Sequence, residues 1–242
     1  MTTITKFIAG LIVSLLLLSC NFDGDFGWGV TGNGNVERTD RSVSGDFTEI
    51  EVSRGLDVYL TQSDNFNITV EADENLHDII MTEIENNTLY IYADENIRSS
   101  KAQKVMVNLT NVSSISATSG SDVYSTNTIE ADDLELRTTS GADMELEIKA
   151  DVVECSSTSG SDLRLSGSAN TLYADATSGS DIKAGNLKVK TCEAKATSGA
   201  DITVNTSDAL IAKASSGGDI KYYGNPEKVT KKDGVSGSVR KQ

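Results

Sequence analysis

Thr118-Ser119-Gly120-Ser121-Asp122-Val123 is a phrase of six residues that returns throughout the second half of the chain. Its later copies read TSGADM at 139–144, TSGSDL at 158–163, TSGSDI at 177–182, TSGADI at 197–202 and SSGGDI at 215–220. A degenerate copy, SRGLDV, stands upstream at 53–58. The glycines of the six copies from 118 to 220 are separated by 21, 19, 19, 20 and 18 residues, so the chain carries an internal repeat with a period near 20 residues.

Apolar and polar residues alternate on both sides of each phrase. The positions one, three and five before the threonine are small or apolar, the positions between them are polar, and the residue after the Asp is always apolar. Alternation with a period of two residues is typical of half-buried strands. Each repeat therefore predicts two short strands joined by a Ser-Gly turn.

A period near 20 residues fits one coil of a parallel β-helix, whose coils stack about 4.8 Å apart. Identical residues then form ladders along the stack, with glycine where the backbone needs a positive φ. The predicted fold class is all-β, a solenoid of about 20 residues per coil with longer irregular strands at its N-terminal end. An antiparallel meander of hairpins is the alternative, but it would not need the same corner in every copy.

The region before the repeats also alternates. Residues 47–52, 56–60, 66–70, 89–92 and 105–109 are predicted strands, and residues 73–83 are the one helix-like segment. His77, the only histidine, lies in that segment without residues at metal-ligand spacing, and we interpret it as a surface histidine.

The N-terminus has the features of an export signal. Residues 1–19 contain Lys6 and then an apolar run of about twelve residues, which is too short to span a bilayer comfortably. The run ends in Leu17-Leu18-Ser19-Cys20, which resembles the bacterial lipobox, and this resemblance implies lipidation of Cys20 and anchoring in the cell envelope, most simply the outer membrane. A plain secretory signal is the alternative. The glycine-rich residues 20–36 are predicted to be a flexible tether.

The predicted organisation after the tether is one continuous domain, 37–242. It comprises an N-terminal β region, 37–117, and a TSGSD-repeat solenoid with a C-terminal cap, 118–242. The net charge of −15 argues against nucleic acid and against electrostatic docking to anionic lipid. No sequence motif indicates a cofactor.

The repeated corner supplies the candidate site residues, which we expect to be mainly structural. Three hypotheses compete for the Asp column: hydrogen bonds from the turn, a weakly bound divalent cation, and a polar surface for a ligand such as a glycan. The ladder consists of Ser119, Gly120, Asp122, Ser140, Gly141, Asp143, Ser159, Gly160, Asp162, Ser178, Gly179, Asp181, Ser198, Gly199, Asp201, Ser216, Gly217 and Asp219.

Catalysis by this ladder is not expected. A glycosidase needs two carboxylates in different environments, whereas a ladder predicts the same environment six times. Cys155 and Cys192 occupy inward positions in different columns two coils apart, beyond disulfide reach, and are interpreted as small buried hydrophobes. We therefore predict no catalytic residues, no metal site and no enzyme activity.

The end of the chain predicts a cap. Val235-Ser-Gly-Ser-Val239 echoes the repeat, with Gly237 twenty residues after Gly217, and lysines surround it. Lysines on an open strand edge discourage end-to-end association.

The order of these motifs is similar to a known family. FTEIEVSRGLDVYLTQ at 47–62, ADENL at 72–76, the TSGSD copies and the closing YYGNPEKVTKKDGVSGSV at 222–239 resemble the bacterial putative auto-transporter adhesin, head GIN domain family. The resemblance covers about residues 37–242 and implies a right-handed β-helix-like fold. It supplies no catalytic residues.

Taken together, the sequence predicts a cell-envelope lipoprotein with a non-catalytic binding or adhesion solenoid. The alternatives are a polysaccharide-active β-helix enzyme and a purely structural envelope protein. Expected partners are the membrane through Cys20, a glycan or protein ligand, and a second copy of the chain. If a site exists, the varying outward column Tyr124, Glu145, Arg164 and Lys183 and the irregular region before Thr118 are the favoured places.

Overall fold

The computed structural model describes residues 29–42 and 44–242. The predicted leader, Cys20 and the tether as far as residue 28 lie outside the described residues. Within them 68% of the backbone is strand, and helical geometry is confined to a 3-10 turn, Glu74–Leu76. The helix-like prediction for 73–83 is wrong beyond that turn, because Ile80–Glu85 pairs with Thr88–Ala93 as an antiparallel strand.

The described residues form nineteen strands. In the N-terminal region they are β1 (Val30–Thr31), β2 (Val36–Arg41), β3 (Glu49–Val52), β4 (Asp57–Gln62), β5 (Asn67–Asp73), β6 (Ile80–Glu85), β7 (Thr88–Ala93), β8 (Ile97–Ser99) and β9 (Gln103–Leu109). In the repeat region they are β10 (Ser114–Ala117), β11 (Asp122–Ser125), β12 (Ile129–Thr139), β13 (Asp143–Thr158), β14 (Asp162–Thr177), β15 (Asp181–Thr197), β16 (Asp201–Ser215), β17 (Asp219–Tyr223), β18 (Lys228–Asp233) and β19 (Ser238–Lys241).

The repeats stack as a parallel β-solenoid of about 7 turns, with about 19 residues per turn. Strands β12 to β16 pair in parallel, each with the next, and Asp143 aligns with Asp162, then Asp181 and Asp201. This register reproduces the columns predicted from the repeat, and the alternative of an antiparallel meander is wrong. The inward columns of the stack form one continuous hydrophobic core.

Each full coil changes direction at two places. One is the Thr-Ser-Gly corner between successive strands. The other lies inside the long strand: in β13 the alternation of buried and exposed residues slips at residues 150–152, so that Ile148 and Val153 both point inward. We call this second place the second bend.

The N-terminal region is part of the same stack. Strands β3 and β4, which contain the degenerate copy, pair in parallel with β7 and β9 on one side and with β10 and β11 on the other. The chain thus builds β5 to β9 on one side of the coil formed by β3 and β4, and then returns with β10 and β11 to the other side. The predicted division at residues 117 and 118 therefore corresponds to no boundary in the sheet.

Antiparallel strands cover the N-terminal end. Strand β5 pairs with β9, β2 pairs with β5, and β1 pairs with β8. The Asp73 carboxylate, 1% exposed, accepts hydrogen bonds from the backbone N–H groups of Gly34 at 2.9 Å and Ala102 at 3.1 Å. The tether was predicted to extend to residue 36, but its described part, residues 29–36, is held against the body.

The C-terminal coil closes the other end. Strand β18 pairs with β16, and β19 pairs with β17. Ser238 aligns with Asp219, so Gly237 aligns with Gly218 and not with Gly217 as the spacing predicted. A Cβ at position 237 would lie 2.5 Å from the Ala214 carbonyl group, which explains why glycine occupies this half-buried position.

Candidate binding surfaces

The Thr-Ser-Gly corner holds two consecutive residues in the left-handed region. The six serines have φ between 53° and 59°, and the glycines that follow have φ between 69° and 80°. At Gly120, Gly141, Gly160, Gly179 and Gly199 a Cβ would meet no atom within 4 Å, so backbone conformation, and not space, selects glycine. The left-handed serine was not predicted.

Neighbouring corners are joined through the backbone. The Gly120 N–H donates to the Ser140 carbonyl at 3.1 Å, and the Gly179 N–H donates to the Ser198 carbonyl at 3.1 Å. The residue after each glycine is buried and small, and where it is serine, as at Ser161, its hydroxyl donates to a backbone carbonyl, here that of Thr158 at 2.9 Å. The corner is therefore a structural element repeated once per coil.

The Asp column is longer than predicted, because Asp57 of the degenerate copy aligns with Asp122. The middle of the column is neutralised by the outward column two residues later. Arg164 lies 2.6 Å from Asp162, and Lys183 lies 2.9 Å from Asp162 and 3.0 Å from Asp181. The hydrogen bond to Asp162 raises the pKa of Lys183. Arg164 and Lys183 of the variable outward column thus neutralise the ladder. The hydroxyls of the left-handed serines lie near the preceding threonine hydroxyls, at 3.3 Å for Ser119 and Thr118.

The N-terminal end of the column has a different environment. Tyr59 and Tyr124 stack with ring centroids 5.3 Å apart, and the Tyr124 hydroxyl lies 3.4 Å from the Asp122 carboxylate. Burial raises the pKa of Asp122, which the neighbouring Asp57 and Asp143 raise further; burial also raises the pKa of Asp57, against the lowering effect of Lys104. Burial, with the Asp122 charge next, raises the pKa of Tyr124 to about 12. The prediction of equivalent environments is wrong.

Metal-ligating and nucleophilic groups do not converge in the part of the chain that the structure describes. No three His, Cys, Asp or Glu side chains there could hold a metal ion, which leaves the cation hypothesis without geometric support. Cys155 and Cys192 are buried, unpaired and in different columns, as predicted. His77 is half-buried, not fully on the surface, and its Nε2 lies 3.3 Å from the Glu37 carbonyl oxygen.

A shallow cavity of 370 Å³ lies on the face formed by the residues before the corner. Tyr173, 45% exposed, lines it, with Glu154 and Glu193 as its register neighbours on the adjoining coils. Around it Lys195 pairs with Asp175 at 2.9 Å, and Lys213 pairs with Glu193 at 2.6 Å. We call this surface, lined by Glu135, Arg137, Glu154, Tyr173, Asp175, Glu193 and Lys195, the Tyr173 face.

A larger cavity of 670 Å³ lies at the second bend of the later coils. Its polar lining carries lysines, amides and hydroxyls, with the turn after β17 forming one wall. We call it the lysine groove, and its lining includes Lys149, Ser168, Asn170, Lys188, Lys190, Asn205, Thr206, Ser207, Gly224 and Asn225.

Sequence reasoning missed both surfaces. The column that holds Tyr173 could have been aligned four residues before the threonine, where successive copies carry Ser114, Glu135, Glu154, Tyr173, Glu193 and Ile211. Lys149 and Lys188 also align, nine residues before the threonine, but this alignment does not show the depression beside them, which lies where the register between β15 and β16 breaks.

This architecture makes the chain a parallel β-solenoid protein whose outward columns form extended surfaces. Residues 46–226 match the model of the family described as putative auto-transporter adhesin, head GIN domain. The match covers most of the chain, and the protein belongs to that family, as the motif order predicted. A search of curated protein sequences finds no match.

Solved structures share the fold. A putative adhesin from Bacteroides fragilis superimposes with a TM-score of 0.81 at 23% identity, covering 88% of this chain and 100% of that one. A putative adhesin from Parabacteroides merdae gives 0.71 at 22%, covering 89% and 100%. A putative lipid binding protein from Parabacteroides distasonis gives 0.72 at 24%, covering 88% and 99%. At these identities the likeness establishes the fold alone. None of the described residues forms a helix long and apolar enough to cross a membrane.

Proposed function

We propose that the protein is a lipid-anchored component of the cell envelope whose solenoid acts as a non-catalytic binding module, in the manner of an adhesin head. The observation that carries this proposal is the Tyr173 face. It presents one exposed aromatic ring among alternating acidic and basic side chains on several stacked coils. Tyrosine is favoured at contact surfaces because its ring supplies apolar area and its hydroxyl remains available for hydrogen bonding.

The charges on this face suit binding better than hydrolysis. Glu193 and Asp175 are ion-paired with Lys213 and Lys195, and Glu154 is exposed. A glycosidase acid needs desolvation or an unpaired neighbouring carboxylate to keep its proton at neutral pH. Exposed ion pairs contribute little to stability, so their arrangement is free to serve recognition.

The binding role is tested with residues 21–242, which include every described residue, on an array of glycans and matrix proteins. We expect a ligand to be retained by the unsubstituted chain and to bind at least about tenfold more weakly to Tyr173→Ala. Phe66→Ala, at a similarly exposed aromatic ring on the N-terminal region, is the matched control and should bind normally. Retention of no ligand at all would contradict the binding role, and release of new reducing ends from a bound glycan would favour the enzyme alternative.

The anchor is tested separately, because it depends on Cys20 and not on the solenoid. Cells fed a tagged fatty acid should label the whole chain, and Cys20→Ser should abolish the label while leaving the protein exported. Equal labelling of both forms would contradict lipidation at Cys20. Two or three acyl chains give stable anchoring, so the unsubstituted protein should remain with the membrane fraction.

A further inference from the structure

The lysine groove is an exception to the charge of the protein. The chain has 36 Asp and Glu residues against 21 Lys and Arg, yet no carboxylate lines this cavity. Lys149, Lys188 and Lys190 line it, and the Lys241 ammonium reaches its wall at 2.6 Å from the Asn225 side-chain oxygen. Carboxylates border the lining, because Asp151 accepts a hydrogen bond from the Asn170 amide and Asp208 accepts one from the Ser207 hydroxyl at 2.6 Å, but the charged side chains that line the cavity itself are lysines.

The groove lies where the repeat is interrupted. The register between β15 and β16 shifts twice. Ala184 pairs with Val204, but the next pair is Lys188 with Asn205. A second shift follows between Val189 and Thr191. Three residues of β15, 185–187, therefore have no partner in β16. An interruption of this kind leaves a depression between two coils, and proteins commonly place such irregularities beside functional sites.

The floor of the groove is fixed by side chains that replace the missing ladder bonds. The Thr206 hydroxyl, on a residue 1% exposed, donates to the Lys190 carbonyl at 2.9 Å. The Asn205 amide donates to the Gly185 carbonyl at 3.2 Å. Gly224 has φ of 91°, and a Cβ there would lie 2.1 Å from the Thr206 carbonyl oxygen. The turn that forms the wall therefore packs against β16 at a distance that leaves no room for a side chain.

The lysines are spaced along the solenoid axis. Lys149, Ser168 and Lys188 occupy one outward column on three successive coils, which places the two lysines about 10 Å apart. Lys149 has a partner in Glu130 at 3.2 Å. Across residues 29–42 and 44–242, no carboxylate lies within 4.0 Å of the Lys188 or Lys190 ammonium group, so both charges are open to a ligand.

An adjoining cavity of 430 Å³ shares Asn205 with the groove and extends it across the coils. It is lined by Asn186 and by Tyr223, whose ring is 44% exposed. Amides offer both a donor and an acceptor to hydroxyl groups, and an exposed aromatic ring offers an apolar platform. Lysines, amides and a tyrosine in one elongated depression match an acidic sugar chain.

We propose that the lysine groove binds an extended acidic polysaccharide, with Lys188 and Lys190 contacting its carboxylate groups and Tyr223 contacting a sugar ring. This proposal rests on the binding role above and names a ligand class and a second place for it. A flat anionic membrane would meet the acidic surface of a protein with a net charge of −15, whereas a single polysaccharide chain lies within the groove.

The test measures binding of polygalacturonate, a carboxylated polysaccharide, to residues 21–242 by calorimetry at two salt concentrations. Lys188→Gln/Lys190→Gln should weaken binding at least about tenfold and reduce its salt dependence. Lys101→Gln/Lys232→Gln removes the same charge from two exposed lysines outside the groove and should bind as the unsubstituted chain does. All four positions are exposed, so unchanged thermal unfolding is expected for both variants.

Dextran and vesicles containing phosphatidylglycerol are the comparison probes. Binding of polygalacturonate but neither of these supports the proposal. Equal loss in the two double variants, equal binding of dextran, or stronger binding of the vesicles would overturn it. If polygalacturonate does not bind while the array ligand still depends on Tyr173, only this inference fails and the binding role stands.

Discussion

Asp57 lies directly beside Asp122 in the parallel stack, although the chain builds β5 to β10 between their strands. The pair ends an Asp column whose middle members are neutralised by Arg164 and Lys183. Within the described residues, neither Asp57 nor Asp122 has an ion pair of this kind. Both carboxylates are half-buried near the stacked tyrosine rings. The column therefore contains a neutralised middle section and, at its N-terminal end, a half-buried section in which like charges are adjacent.

Asp122→Asn should stabilise the protein at neutral pH. Burial and the Asp57 charge raise the folded-state pKa of Asp122 above its unfolded value, so the folded chain holds the proton more tightly. The free energy of unfolding therefore falls as pH rises through the folded-state pKa of Asp122, and it increases again when the carboxyl group is protonated at lower pH. Thermal unfolding should show a higher Tm for the variant at pH 7, with a difference that shrinks as pH falls towards 4. Asp201→Asn, at an exposed position of the same column, is the control. A gain that is constant with pH would contradict the assignment.

Gly160→Ala should cost about 1 kcal/mol of unfolding free energy, because its φ of 70° is unfavourable for a side chain although space is available. Gly160→Asn should cost less, since asparagine tolerates this conformation. Gly218→Ala should cost more, about 2–3 kcal/mol, because its Cβ would lie 2.6 Å from the Ala196 carbonyl group. Urea unfolding of the three variants gives the order, and a larger loss for Gly160→Asn than for Gly160→Ala would refute it.

Lys231→Val should increase self-association through the last coil. Lys231 continues the inward column of Ala212, its ammonium lies 4.9 Å from the Tyr222 ring centroid, and it donates to the Val239 carbonyl at 3.2 Å. A charge placed inward on a strand that is paired on one side protects that edge. Light scattering should show an association constant about tenfold higher than that of the unsubstituted chain.

The control for this edge is Lys221→Val. Lys221 stands on β17, which is paired with β16 on one side and β19 on the other, so the same loss of charge opens no edge. Equal association of the two variants would mean that general hydrophobicity, and not edge protection, is responsible.

Cys155 and Cys192 should be unreactive in the folded protein. Both are buried, burial raises the pKa of the Cys155 thiol, and burial raises the pKa of Cys192 to about 12, so little thiolate forms at neutral pH. In residues 21–242 a thiol reagent should label them at least about a thousandfold more slowly than in denaturant. Cys155→Ala and Cys192→Ala each remove one of the two labels. Rapid labelling without denaturant would show that the inward columns open.

The repeat predicted the solenoid because a ladder of identical corners is written into the chain. The register of the columns, the burial of both cysteines and the placement of Asp122 beside Asp143 follow from spacing alone. The residues of 73–83 show the limit of local pattern. Ile80 begins a strand because β7 lies beside it, and pairing outweighs a weak helical preference.

The candidate surfaces were less accessible to sequence reasoning. Tyr173 was visible in a column but had no pattern to distinguish it from other exposed residues. Lys149 and Lys188 share a column, but the depression that they line lies where the stack loses register between β15 and β16. A break in a repeat appears in the sequence as small differences in spacing, which do not tell where the chain bulges.

The sequence by itself determined the parallel stack, its inward columns and the left-handed glycine corner, because each follows from side-chain alternation and backbone conformation within one repeat. Only the tertiary structure decided which carboxylates are neutralised, that the coil of Asp57 lies between β9 and β11, and where the lysine groove opens. These depend on contacts between residues of different coils, and the strength of a charge or the depth of a cavity is set by what lies beside it in space.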